Sequence, residues 1–160
     1  MATRSIPSTS PVYIRRARPG DLPTICEIEN QSFIEPWDPE TFVLTLEWYH
    51  TSFFVAEYHS RIVGFLAGAV EDMDDGMYGH ICNLAVAPEC RKHGVGTKLV
   101  RRAEHQFALN GATGVILEVR ASNTPAQRFY RRMGYSQAFR IAEYYADGED
   151  ALLMLKEMRF

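Results

Sequence analysis

The chain has 160 residues, 46% of them hydrophobic and 12% aromatic, enough for one domain with a proper core and short for two. A formal net charge of −3 argues against general nucleic-acid binding, and the basic residues are gathered locally, which suits a small anionic ligand better. No apolar run approaches the roughly 20 residues of a membrane span, and Cys26, Cys82 and Cys90 form no CxxC pair, so free thiols in a reducing cytoplasm are expected.

The opening MATRSIPSTSP (1–11) is rich in Ser, Thr and Pro and lacks the apolar core of a signal peptide; it reads as a loose tail before a single domain over 12–160. VYIRRAR (12–18) alternates like a strand, and Pro19, Gly20 and Asp21 end it before a helix to about Gln31. SFIEPW (32–37) is a loop. Asp38 suits an N-cap and Pro39 the first helical position of a helix to about His50. FFVAEY (53–58) and IVGFLAGAV (62–70) make a hairpin around 59–61, DMDDG (72–76) is the next loop, and HICNLAVA (80–87) the next strand. After Gly94, the residues Val95, Leu99, Ala103 and Phe107 form an i, i+4 helical stripe. TGVILEVR (113–120) is a strand, Asn123 opens a short helix that Gly134 stops, and YSQAFRIAEYY and ALLMLKEM close the chain as strands around a turn at 147–149. Helices alternate with strands first and hairpins follow, an α+β order that implies a mixed sheet covered by helices.

One stretch asks for a ligand. Arg91-x-x-Gly94-x-Gly96 lies between a strand and a helix. Glycines allow close backbone approach and positive φ, and the helix start offers unpaired N–H groups at the positive end of its dipole. A dinucleotide fingerprint would need a glycine where Leu99 stands, and a Walker A loop would need Lys where Thr97 stands. The alternative to an anion site is a tight turn before a solvated basic helix face.

With their neighbours, these residues carry a resemblance. NLAVAPECRKHGVGTKLV and LEVRASNTPAQRFYRRMGY resemble the two cofactor segments of the GNAT N-acetyltransferase superfamily. HICNLAV, LEVRASN and YYADGEDA resemble its protein N-terminal acetyltransferases, both the archaeal-type catalytic subunits and the bacterial ribosomal-protein-alanine enzymes. The resemblance covers about residues 12 to 156 and implies the GNAT fold, a central, mostly antiparallel mixed sheet flanked by helices. It implies acetyl-CoA as co-substrate, with pyrophosphate held by Arg91, Lys92, His93, Gly94, Val95, Gly96 and Thr97. Backbone at Leu84, Ala85 and Val86 would pair with pantetheine, Asn123 would bond the cofactor arm, and Tyr130 would lie near the sulfur. Implied partners are protein N-termini, among them ribosomal proteins or nascent chains, and an auxiliary subunit; nucleic acid and membrane are not implied.

Acyl transfer to an amine needs the amine neutral. For an α-amine of pKa about 7.7–8.0 this costs only about 1 kcal/mol at pH 7, against roughly 4.6 kcal/mol for a lysine at about 10.4. One modest base therefore suffices for an N-terminus. The resemblance offers Glu35 and His80 as a base pair or water relay, with Glu118 as a rival or orienting group and Tyr130 as the acid for the leaving thiolate. Trp37, Tyr144 and Tyr145, with Glu35 and His80, would wall the peptide. Taken without the resemblance, these are an exposed loop acid, a strand-end histidine, an ion-paired strand acid and packing aromatics. His80 and Cys82, two strand residues apart, are separated by about 6.6 Å, so direct transfer is favoured over an acyl-cysteine route. DMDDG fails as a calcium loop because its glycine comes one place early and Asn83 holds the twelfth position. His80 and Glu118 alone are too few to bind an ion, so no metal is expected. The functional alternatives are a lysine or small-amine acetyltransferase of the same fold and a non-catalytic acyl-CoA-binding regulatory module.

Overall fold

The structure, a computed structural model, describes residues 11–158. The tail expected over 1–11 lies outside the described residues except for Pro11. Seven strands and four α-helices follow in the order β1 (Tyr13–Arg16), α1 (Leu22–Ser32), α2 (Pro39–Tyr49), β2 (Phe53–Tyr58), β3 (Arg61–Met73), β4 (Gly76–Val86), α3 (Val95–Leu109), β5 (Gly114–Arg120), α4 (Thr124–Arg132), β6 (Ser136–Ile141) and β7 (Ala151–Glu157). The strands form one sheet in the order β1-β2-β3-β4-β5-β7-β6, mostly antiparallel, with β4 and β5 parallel.

The chain divides into two compact units, one holding the described residues up to Gly68 with Asn83–Gln106, the other Ala69–Cys82 with the described residues from Phe107 onward. In the first, β1 pairs with β2 and β2 with β3, the hairpin turning through His59 and Ser60, both at positive φ (48° and 61°), as a two-residue hairpin demands. Asp38 caps α2 by accepting the Thr41 N–H at 2.8 Å, with Pro39 at the first helical position. Phe42, Phe53 and Phe65 are fully buried, and Phe42 meets Phe65 edge-on with ring centroids 5.4 Å apart. The expected stripe of α3 is buried at Val95, Leu99, Ala103 and Phe107.

In the second unit β5 pairs antiparallel with β7 from Gly114↔Glu157 to Arg120↔Ala151, and β7 carries β6 on its other edge. β4 joins β5 through four parallel pairs, from Tyr78↔Gly114 to Ile81↔Leu117. Two expectations are corrected. The loop expected at 72–76 is a tight turn at 74–75, because β3 runs on to Met73 and β4 begins at Gly76, four residues before the expected start. Tyr144 and Tyr145, expected on a closing strand, lie beyond the end of β6 in the connection to β7.

A Cβ at Gly79 would run into the ring of the fully buried Phe107. Gly79→Ala is therefore expected to cost about 1–3 kcal/mol or more. Thermal denaturation should report a fall in Tm of about 2–4 °C per kcal/mol lost.

Candidate active site

The turn before α3 has the shape of an anion cradle. Lys92 and Gly94 both take positive φ (66° and 79°), and the space where a Cβ of Gly94 would point is open. The Lys98 N–H is bonded to the Gly94 carbonyl, so the N–H groups of Val95, Gly96 and Thr97 fall in the first turn, where a helix has no internal acceptors for them. Arg91 turns back from this opening. Its Nε donates to the Val86 carbonyl at 3.1 Å and its guanidinium to the Ser32 hydroxyl at 3.3 Å, bracing the turn against β4 and the end of α1. His93 is half-buried in the same turn. The β4–β5 ladder ends at Ile81↔Leu117, so the backbone of Leu84, Ala85 and Val86 makes no pairs with β5. These residues fit a ligand with phosphates at one end and an amide-bearing arm that can add to a strand edge.

The 33–38 loop of the same unit carries Glu35 and Trp37. Glu35 is exposed, while Trp37 is half-buried with its ring 5.2 Å from that of Phe42. Beneath the loop lies a residue that sequence reasoning missed. Glu29 is 1% exposed, and its Oε2 accepts the Trp37 N–H at 3.0 Å and the Asn83 Nδ2–H at 2.8 Å. Burial raises its carboxyl above the usual range, opposed by those two hydrogen bonds. The available signal was an acid on the face of α1 that buries Ile25 and Ile28.

In the second unit His80 is clamped. Its Nδ1 lies 2.9 Å from Glu71 Oε1 and its Nε2 2.7 Å from Glu118 Oε2. Two ionised carboxylates, one at each ring nitrogen, require two N–H donors, which only the imidazolium has. Burial opposes that charge, but the Cys82 side chain and the Glu118 and Glu71 carboxylates outweigh it, and the imidazole is pushed up to about 11. A histidine so held has no lone pair at neutral pH. His80 stands as a cation between Glu71 and Glu118. Glu71 was missed because β3 was expected to stop short of it. Cys82 is exposed; its thiol donates to the His80 carbonyl oxygen at 3.7 Å, and its side chain also bears on the imidazole. Among the described residues no group of three or more His, Cys, Asp or Glu is placed to hold a metal, and no helix is long and apolar enough to cross a membrane.

The β6–β7 connection is stapled to the end of β5. Arg120 donates to Asp147 Oδ2 at 2.8 Å and to Glu149 Oε1 at 3.0 Å, and its guanidinium stacks 4.1 Å above the Tyr145 ring. Tyr144 meets Tyr145 edge-on at 5.0 Å. Burial, then the charge of Glu118, raises the Tyr144 phenol, with His80 pulling the other way; burial and Tyr144 push Tyr145 up to about 12. Both stay protonated at neutral pH and can donate to a peptide carbonyl. Tyr130 on α4 is 8% exposed, packed between the Phe129 and Tyr135 rings, and burial, with Tyr145 nearby, lifts its phenol well above the ordinary tyrosine range. Asn123 caps α4 by accepting the Ala126 N–H at 3.2 Å through Oδ1, while its backbone N–H donates to the Arg120 carbonyl at 2.9 Å; the cap does not use its side-chain NH2. The second unit thus brings together Glu71, His80, Glu118 and Tyr144. Glu35 and Trp37 belong to the first unit with the anion cradle.

Residues 22–135 match the acetyltransferase (GNAT) family. An N-alpha-acetyltransferase of Sulfurisphaera tokodaii is 34% identical over 150 residues, covering 88% of this chain and 90% of its own. A putative [ribosomal protein bS18]-alanine N-acetyltransferase of Bacillus subtilis is 36% identical over 143 residues, covering 88% and 92%. Among solved structures, Ard1 from Thermoplasma volcanium superposes with a TM-score of 0.86 at 26% identity, over 93% of this chain and 99% of that one.

Two outcomes follow from the geometry. The His80 ring should keep its imidazolium NMR shifts from about pH 5 to pH 9, where a free histidine would titrate near 6.5. Since the folded value is raised, the stabilisation is complete below the unfolded value and is lost as pH rises through about 11. Denaturant unfolding should therefore show a steeper loss of stability above pH 7 in the wild type than in His80→Gln. In the cradle, Gly94→Val puts a β-branched residue at φ +79°, where L-residues are strained, and fills the open face. Calorimetry should show acetyl-CoA affinity reduced at least about tenfold with the fold intact, on the scale of the 1–2 kcal/mol such backbone strain costs.

Proposed function

The chain belongs to the GNAT acetyltransferase family, and on that premise we propose that it transfers the acetyl group of acetyl-CoA to the α-amine of protein N-termini, in a ternary complex without an acyl-enzyme. The observation that carries the reading is the Glu71–His80–Glu118 clamp. Two carboxylates around one imidazolium leave a net charge of −1 beside the Tyr144 phenol. That charge attracts a cationic amine and can take one proton from it. A single carboxylate suffices for an α-amine, which needs only about 1 kcal/mol to become neutral at pH 7, and is mismatched to a lysine, which needs roughly 4.6 kcal/mol.

Each residue then has a role set by its chemistry. The amides of Lys92–Thr97 hold the pyrophosphate, and the backbone of Leu84–Val86 aligns the pantetheine arm. Acetyl-CoA supplies an activated acyl carbon and a thiolate leaving group. Glu118 accepts one amine proton, directly or through one water, and the His80 cation keeps its carboxylate aimed. As the nitrogen lone pair bonds the acyl carbon and the C–S bond breaks, Tyr130 donates a hydrogen bond to the sulfur. A phenol with a raised pKa gives up its proton to a thiolate only uphill, so Tyr130 stabilises the charge; of the two protons the ammonium loses, the first leaves through Glu118 to solvent and the second, released as the amide forms, ends on the thiol. Trp37 and Glu35 in the first unit, and Tyr144 and Tyr145 in the second, are each assigned to contacts with the peptide. Similarity to the bS18-alanine enzyme supports chains beginning with alanine, ribosomal proteins among them, as substrates.

A peptide panel decides the acceptor. Peptides with a free N-terminal amine should be acetylated, and the same peptides with a blocked N-terminus and one lysine should not; acetylation of the lysine peptides alone would overturn the reading. Glu118→Gln should lower kcat by about 10²–10⁴-fold without changing acetyl-CoA binding, and raising pH should partly restore it. Glu35→Gln should raise the peptide KM and leave kcat within a few-fold. His80→Gln combined with Glu118→Gln should lose far less than the product of the single losses, because the two act as a unit. A large kcat loss in Glu35→Gln beside a near-normal Glu118→Gln would return the base role to Glu35.

A further inference from the structure

Glu29 sits where stability alone would not place a carboxylate. It is 1% exposed, and its Oε1 has no hydrogen-bond partner among the described residues. Burying a carboxyl group with an orphaned oxygen is costly, and an apolar side chain of similar volume would avoid the cost. What the residue does is visible in its bonds. Its backbone carbonyl accepts the Phe33 N–H at 3.1 Å, closing the end of α1. Its Oε2 accepts the Trp37 N–H at 3.0 Å. One residue therefore clips both ends of the short loop that carries Ile34 and Glu35. The same Oε2 also takes the Asn83 amide at 2.8 Å, and Asn83 lies on β4 immediately before Leu84. A single carboxylate oxygen thus joins the exposed loop at the start of α2 to the strand segment assigned above to the cofactor arm.

We propose that Glu29 is a positioning residue for peptide binding: it locks the 33–37 loop in register with β4, so that Trp37 and Glu35 present a preformed wall to the incoming N-terminus. It acts through the loop and touches neither the reacting amine nor the thioester. The inference rests on the reading of protein N-termini as substrate, but its structural half can be measured without turnover. Trp37 and Trp48 are the two tryptophans of the chain, and Trp48 is 73% exposed near the far end of α2, so Trp48→Phe leaves Trp37 as the reporter.

In the Trp48→Phe background, Glu29→Met keeps the side-chain length and removes the acceptor. Its expected effects are a red-shift of Trp37 emission, as the loop comes free, and a rise in peptide KM of about tenfold or more, the scale of losing hydrogen bonds to a charged group. The KM for acetyl-CoA should change by less than about threefold, and kcat at saturating peptide should be retained. Glu29→Gln keeps one oxygen able to accept both donors and should restore both the emission and the peptide KM. If Glu29→Met does not fold, Glu29→Asp, which withdraws the carboxylate by one methylene, should give the same emission shift and KM rise. Unshifted emission with unchanged peptide KM in the folded variant would overturn the proposal. So would a kcat loss of about a hundredfold in Glu29→Gln with a displaced pH profile, because Glu29 would then be handling a proton. A Trp48→Phe protein that acetylates no free N-terminus defeats the substrate reading instead, and the emission arm then decides the positioning role by itself.

Discussion

A helix can lie close on a sheet only where the strands beneath it give up side chains. Gly64 on β3 does this in the first unit: a Cβ there would come within 3.3 Å of the Ala85 carbonyl and the Val95 and Leu99 side chains. The Ala87 N–H then bonds back to the Val63 carbonyl at 2.8 Å, holding the end of β4 beside β3. With the strand end and the helix start both held, the chain from Pro88 to Gly94 has little length in which to turn, and positive φ at Lys92 and Gly94 is what the reversal requires. The turn proposed to hold phosphate therefore rests on the same small residue that lets α3 pack tightly.

The second unit is organised by charge. Glu71, His80 and Glu118 come from three strands, β3, β4 and β5, and none of them would be comfortable there alone. An imidazolium between two carboxylates satisfies both ring N–H groups and limits the desolvation cost that any one of the three would bear unpaired. The clamp holds the Glu118 carboxylate oriented against the His80 ring. On the proposed reading, it is also why His80 orients Glu118 and leaves the amine proton to that carboxylate. The Arg120 staple to Asp147 and Glu149 extends the same economy, holding Tyr144 and Tyr145 in an irregular connection where strand pairing cannot.

Chemistry and positioning are divided between kinds of residue. Groups that would touch the reacting atoms, Glu118 and Tyr130, sit on regular elements, β5 and α4, whose backbone is fixed by ladder or helix bonds. Groups that would meet the variable part of a peptide, Glu35, Trp37, Tyr144 and Tyr145, sit on connections. Loops adapt readily to different partners but must be tethered to serve as walls. Glu29 and Arg120 supply the two tethers, one a buried acid and the other a half-buried base.

Local signals in the chain determined much of this. The Asp38–Pro39 helix start, the i, i+4 stripe of α3, the Asn123 cap and the Gly94–Gly96 turn each depend on residues within a few positions of one another, and each is present in the structure. Long-range partners were beyond that reach. Glu71 joined His80 only because β3 and β4 run three or four residues past their apolar cores into a polar tight turn, and acidic residues there looked like loop. Glu29 and Asn83 are 54 residues apart, and no spacing rule links them. The protonation state of His80 was decided in the same way. Its sequence neighbours, Gly79 and Ile81, carry no charge, and the two carboxylates that hold its protons arrive only when three strands are laid side by side.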